Sequence, residues 1–147
     1  MDIPELMEGQ SAGITGYYDE NTLFEFGITN REGKNVLYSR EHIGTEDRVT
    51  YGCEVPVSVK AVYLKMETEY LRRVLLYEFI YDESLELENA DSKLTIFSTL
   101  SNVYYLCDEG YDKGKRFTGA LVGMYAVGGI DNNLYVTFHA PTYTERK

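Results

Sequence analysis

Two sets of residues have the types and spacing that chemistry requires. The first is a pair of carboxylates, Glu67 and Glu69, two positions apart in an alternating stretch. On a strand their backbones lie about 6.6 Å apart, at the low edge of the separation that an acid, a base and an intervening water need for inverting glycoside hydrolysis. Glu86 and Glu88 repeat the spacing, and any i, i+2 pair on a strand would. Lys65 stands beside Glu67 on the polar side of the alternation, where nothing raises a carboxyl pKa toward that of a general acid. A solvated sheet face is the expected reading. The second set is "KGKRFTGALVGMYAVGG", residues 113–129, a basic, glycine-flanked turn running into an apolar stretch. It lacks the G-x-x-x-x-G-K-[ST] pattern of a phosphate loop. Gly114 is followed by Lys115 and Arg116, and the downstream stretch reads as a strand, so no helix N-terminus receives a phosphate. There is no G-x-S-x-G elbow and no H-E-x-x-H. Cys53 and Cys107 form no CxxC, have no neighbouring histidine, and are too few for a disulfide scaffold. Free, buried thiols are expected, with no metal, no cofactor and no catalytic residue assigned.

The elements that must position these residues come from a chain of 147 residues, the size of one domain. At 44% apolar residues it can build a core rather than remain disordered. Fourteen Tyr and six Phe without Trp suit half-buried strands, and equally suit faces that stack on sugars. The net charge of −10 opposes nucleic acid and anionic membrane surfaces as partners. The local cluster of Lys113, Lys115 and Arg116 acts over a Debye length of about 8 Å and cannot steer a polyanion. The opening "MDIPELMEGQ" has no apolar signal region, and no apolar run is long enough to span a bilayer. The cytoplasm is the expected location.

Strand signals dominate. "TLFEFGIT" (22–29) alternates, with Phe24, Phe26 and Ile28 on one face; "REGKN" (31–35) reads as a turn and "VLYSR" (36–40) as the returning strand. "AVYLKMETEY" (61–70) puts Val62, Leu64 and Met66 on one face and Tyr63, Lys65, Glu67 and Glu69 on the other. "VLLYEFIY" (74–81) follows as a hairpin partner. "GALVGMYAV" (119–127) is nearly continuous in apolar residues, the pattern of a strand buried on both faces. "GGIDNN" (128–133) reads as a turn and "LYVTFHA" (134–140) as the last strand. In "DSKLTIFSTLSNVYYL" (91–106) Thr95, Ile96, Phe97, Val103 and Tyr104 favour strand over one short helical turn. Short strands between turns predict an all-β sandwich or barrel in a single domain, residues 1–147.

"FTGALVGMYA" (117–126) resembles the F-T-G-A-x-V-G segment in the C-terminal β-sandwich of glycoside hydrolase family 43 enzymes, the β-xylosidase and arabinofuranosidase group. Further pieces resemble that family in the same order. They are "QSAGITGYYDENTLFEFGIT" (10–29), "PVSVKAVYLKMETEYLRRVLLYEFIYD" (56–82) and "LSNVYYLCDEG" (100–110). The resemblance covers about residues 10–140. It implies a concanavalin A-like jelly-roll fold without the bond-cleaving carboxylates, which in the family belong to a preceding five-bladed propeller.

The resemblance also implies a role for "DKGKRFTGA" (112–120), the loop through which the family's sandwich reaches the propeller's sugar pocket. Gly114, Lys115, Arg116 and Phe117 become the candidate pocket residues. The family often shows G-G-F-F-T-G; here Arg116 stands in place of the first aromatic, which gives a cationic tip. Anchoring of a sandwich corner by Phe117 and Ala120 is the structural alternative. The family's A-D-F-D-x-F motif is reduced to "NNLYVTF" (132–138), and only about ten residues precede the first hairpin, so a sandwich incomplete on its N-terminal side is expected. The implied partners are a catalytic propeller or a second copy of the chain, with a xylo- or arabino-oligosaccharide as ligand. A free-standing carbohydrate-binding module using surface Tyr residues is the other functional class.

Overall fold

A computed structural model describes residues 1–69, 73–80, 94–100, 102–107, 119–128, 133–139 and 141–144, with backbone alone for 69, 73–80 and 99. Eight strands account for most of them: β1 (Ser11–Asp19), β2 (Thr22–Arg31), β3 (Lys34–Ile43), β4 (Glu46–Glu54), β5 (Val62–Glu69), β6 (Arg73–Ile80), β7 (Thr95–Leu100) and β8 (Leu121–Val127). They form a five-stranded sheet, β4-β3-β2-β1-β8, and a three-stranded sheet, β5-β6-β7, with every pairing antiparallel.

The alternation in "TLFEFGIT" does what period-two patterning demands. Phe24, Phe26 and Ile28 are at most 2% exposed and face the smaller sheet. Phe97 of β7 meets Phe26 at 5.3 Å between ring centroids, and Leu64 and Met66 of β5 pack on the same layer. Each such side chain taken from water contributes about 1.5–3 kcal/mol, which is what holds the two sheets together. The β2–β3 hairpin closes through Glu32 and Gly33, both at positive φ (54° and 77°), the geometry whose twist matches the flanking strands. Asn30, inside the core, donates from Nδ2 to the Leu6 carbonyl at 2.8 Å and fixes the N-terminal segment against the hairpin. That segment then runs beside β5, with a bridge between Asp2 and Ala61.

Several sequence expectations are corrected. β8 is not buried on both faces. Among the described residues it is an edge strand with β1 as its one neighbour, and Leu121, Val122 and Met124 are 65%, 58% and 48% exposed. A continuous apolar run shows that a strand can be covered, not that this chain covers it. Residues 134–139 alternate in burial but join no ladder; Leu134 packs on the core and the Thr137 carbonyl accepts from the Asp2 N–H at 2.9 Å. Val103 and Tyr104 are not strand: β7 ends at Leu100, and Tyr104–Leu106 form a 3₁₀ turn. Among the described residues Cys53 and Cys107 form no disulfide, but neither is buried as expected: Cys53 is exposed and Cys107 half-buried, Cys53 because it lies on β4, which is exposed along its length. β4 itself was not anticipated. Among the described residues no helix is long and apolar enough to cross a membrane.

Candidate functional site

Residues Gly114, Lys115, Arg116 and Phe117 lie outside the described residues, as do Glu86, Glu88 and Lys113. The flanks of that segment are described. Cys107 on one side and Ala120 on the other both line an apolar cleft of about 240 Å³ between the sheets, with Gly16, Phe24, Met66 and Leu106. Glu67 is not on an open wet face: its carboxylate pairs with Lys65 Nζ at 3.1 Å and its side chain is 18% exposed. A carboxylate neutralised by a neighbouring ammonium is a poor proton donor.

The most developed polar constellation was not anticipated. It lies on the outer face of the five-stranded sheet, turned away from β5–β7. Because side chains alternate across a strand, the burial of Phe24, Phe26 and Ile28 forces Glu25 and Gly27 to the opposite face. Register then assembles a row across the sheet: Tyr125 on β8, Gly13 on β1, Gly27 on β2, Tyr38 on β3 and Tyr51 on β4. The two central glycines leave the row's middle bare, so Tyr38 and Tyr125 reach across them and their hydroxyls meet at 2.7 Å. In the next row Glu25 lies opposite Arg40. The Tyr38 hydroxyl donates to Glu25 Oε2 at 3.0 Å, and Arg40 Nη1 stands 3.6 Å from the same oxygen. Arg40 Nε donates to Asp47 Oδ1 at 2.6 Å, and His42 Nδ1 lies 2.9 Å from that atom.

The electrostatics indicate binding rather than proton transfer. Burial pushes the Tyr38 and Tyr125 phenols well up, so both stay protonated and act as hydrogen-bonding hydroxyls. The hydrogen bond from Arg40 holds the Asp47 carboxyl below its ordinary value, so at neutral pH it is an acceptor and not an acid. Glu25, 8% exposed, is tied to a phenol and a guanidinium. Among the described residues no group of three or more His, Cys, Asp or Glu is arranged to hold a metal ion. A cleft of about 180 Å³ opens above the cluster, lined by Ser11, Glu25, Thr29, Tyr38, Arg40 and Tyr51. Its sequence signal was present in the alternation of Tyr38, Arg40 and His42, but joining it to Glu25 and Asp47 requires the register of three strands.

Two packed antiparallel sheets in this order define a β-sandwich of the concanavalin A-like, jelly-roll class. The family profile of the β-xylosidase C-terminal concanavalin A-like domain matches residues 1–144, and the chain belongs to that family. The match is wider than the stretch of resemblance read from motifs and takes in the N-terminal segment beside β5. Among solved structures, a xylan β-1,4-xylosidase from Bacillus halodurans C-125 superposes with a TM-score of 0.68 at 24% identity, over 85% of this chain and 23% of that one. A protein titled Bacteroides ovatus xyloglucan PUL GH43B gives 0.67 at 22% identity, over 86% and 22%. The chain thus spans under a quarter of either protein. No curated protein sequence matches it.

Proposed function

We propose that this accessory sandwich packs on a catalytic propeller of the family 43 type and shapes its sugar pocket through residues 112–118. The family match carries the reading, because it runs through this segment and includes the F-T-G-A of residues 117–120. The flanks add support. Cys107 and Ala120 bracket the segment at one apolar cleft, and that cleft adjoins the exposed start of β8. On this reading Gly114 supplies the tight turn and Arg116 and Phe117 the tip. A guanidinium offers five donors in a fixed fork, which suits sugar hydroxyls where an aromatic would offer only a stacking face. The chain itself contributes no bond-cleaving carboxylates; the ligand is a xylo- or arabino-oligosaccharide held by the propeller.

The test is hydrolysis of aryl xyloside and aryl arabinofuranoside by this chain, by a matching propeller domain, and by the mixture. Activity in the mixture that neither partner shows alone supports the reading, and Arg116→Ala and Phe117→Ala then lower it. Propeller activity that is indifferent to this chain overturns it.

A further inference from the structure

The cleft on the outer face of the five-stranded sheet has no part in the loop reading. The segment 112–118 enters β8 at Leu121, opposite Tyr17, whereas the cleft borders Val127, opposite Ser11. Six residues of strand, about 20 Å, separate the two.

Three features define what the cleft can hold. Its volume, about 180 Å³, is below the roughly 300 Å³ at which drug-sized ligand sites begin, so a single ring fits and an extended molecule does not. Its walls are amphipathic: the Tyr51 ring, fixed by the Arg31 guanidinium 4.5 Å from its centroid, and Val49 and Val127 face the polar groups. Its polar groups retain capacity. Glu25 and Arg40 both line it, and among the described residues their hydrogen bonds engage Oε2 of Glu25, through Tyr38, and Nε of Arg40, through Asp47. A carboxylate and a guanidinium, each anchored by one atom, thus line one small space. Glu25 and Arg40 offset one another in charge. An anion would meet Glu25 and the −10 field of the chain, and a cation would meet Arg40. A peptide added as a strand would need an unpaired strand edge, and the cleft lies over the face of the sheet. The remaining chemistry is a neutral polyhydroxyl ring, whose hydroxyls both donate and accept and whose C–H face packs on an aromatic.

We propose that this cleft binds one neutral sugar residue, at a second carbohydrate site distinct from the pocket that residues 112–118 serve. An isotope-labelled sample of the whole chain, titrated with xylose, xylobiose and xylotriose, tests it. The amide resonances of Ser11, Thr29, Arg40 and Tyr51 move in a saturable manner, and Tyr51→Ala and Arg40→Lys each weaken binding about tenfold, the scale of one lost aromatic or charge-assisted contact. Tyr135→Ala, which removes an exposed ring elsewhere, changes nothing. Resonances unmoved by all three sugars overturn the proposal. So does a response of the cleft to sulfate or a short peptide but not to sugar, or equal weakening by Tyr135→Ala. Shifts confined to residues 112–118 also overturn it, while leaving the loop reading intact.

Discussion

Gly27 and Gly13 sit back to back where β1 and β2 approach. A Cβ on Gly27 would fall inside the Ala12 carbonyl oxygen and against the Gly13 Cα; both are backbone, so nothing there can rotate away. Gly27→Ala should lose about 1–3 kcal/mol, the cost of overpacking a site that cannot yield, read as a lower denaturant midpoint at unchanged m-value. Gly123→Ala on β8, where nothing lies within 4 Å of the new methyl, should stay within about 0.5 kcal/mol. Equal effects would show that strand spacing, and not this contact, sets the requirement. Asp47 gives the residue scale a pH signature. Its folded pKa lies below the unfolded value, chiefly through the Arg40 hydrogen bond. Its contribution is therefore complete above the unfolded pKa of about 3.9 and fades as pH falls through the lower, folded value. The stability difference between the wild type and Asp47→Asn should be flat from neutral pH down to about pH 5 and shrink below about pH 4. A difference that grows on acidification would place the carboxylate's main interaction elsewhere. The effect is small, because Asp47 is about half exposed.

Strands were legible wherever one face was apolar and the other polar. β2 and β5 declare themselves through Phe24-Phe26-Ile28 and Val62-Leu64-Met66, and β3 as the strand returning from the turn at residues 31–35. β4 did not, because "EDRVTYGCE" is exposed throughout and carries no buried face to pattern. It is placed by its ladder with β3 and not by burial. β8 misled in the opposite sense, since apolar content there signals a surface that something can cover rather than one already covered. The candidate loop was legible only as a motif, and the outer-face cluster only as the alternation of Tyr38, Arg40 and His42, because Glu25, Arg40 and Asp47 meet by register across β2, β3 and β4. Turn chemistry was the firmest local signal. Gly33, at φ 77° with open space where a Cβ would stand, is there for its backbone conformation. Gly33→Val should cost about 1–2 kcal/mol, the penalty of placing a β-carbon in the left-handed region, and should leave the near-UV signature of the core unchanged. A loss of core packing as well would mean that the hairpin turn is coupled to the inter-sheet contacts.

At the scale of the molecule the two edges of the large sheet are opposites. β4 carries Glu46, Asp47, Arg48 and Glu54, the charges that blunt an open edge. β8 presents Leu121, Val122, Met124 and Val127 to solvent with no charge among them. Unpaired backbone together with exposed apolar side chains is a template for association, and a partner propeller or a second copy would each satisfy it. The net charge of −10 bears on the second. Two copies repel at low salt, where the Debye length is about 30 Å at 0.01 M, and far less at about 8 Å in 0.15 M. Self-association through β8 should therefore strengthen as salt rises, the reverse of a contact built on ion pairs. Sedimentation of the isolated chain at both salt concentrations reads this directly. The double variant Val122→Lys, Met124→Lys should stay monomeric at either, since the two side chains are 58% and 48% exposed and their replacement puts charge on the apolar edge; Val122 also lines the cleft between the sheets, so an unchanged denaturant midpoint is read alongside. A monomer at every concentration and salt, with no dye bound to apolar surface, would mean that the chain covers this edge itself, and β8 would then offer a propeller no more than it offers a second copy.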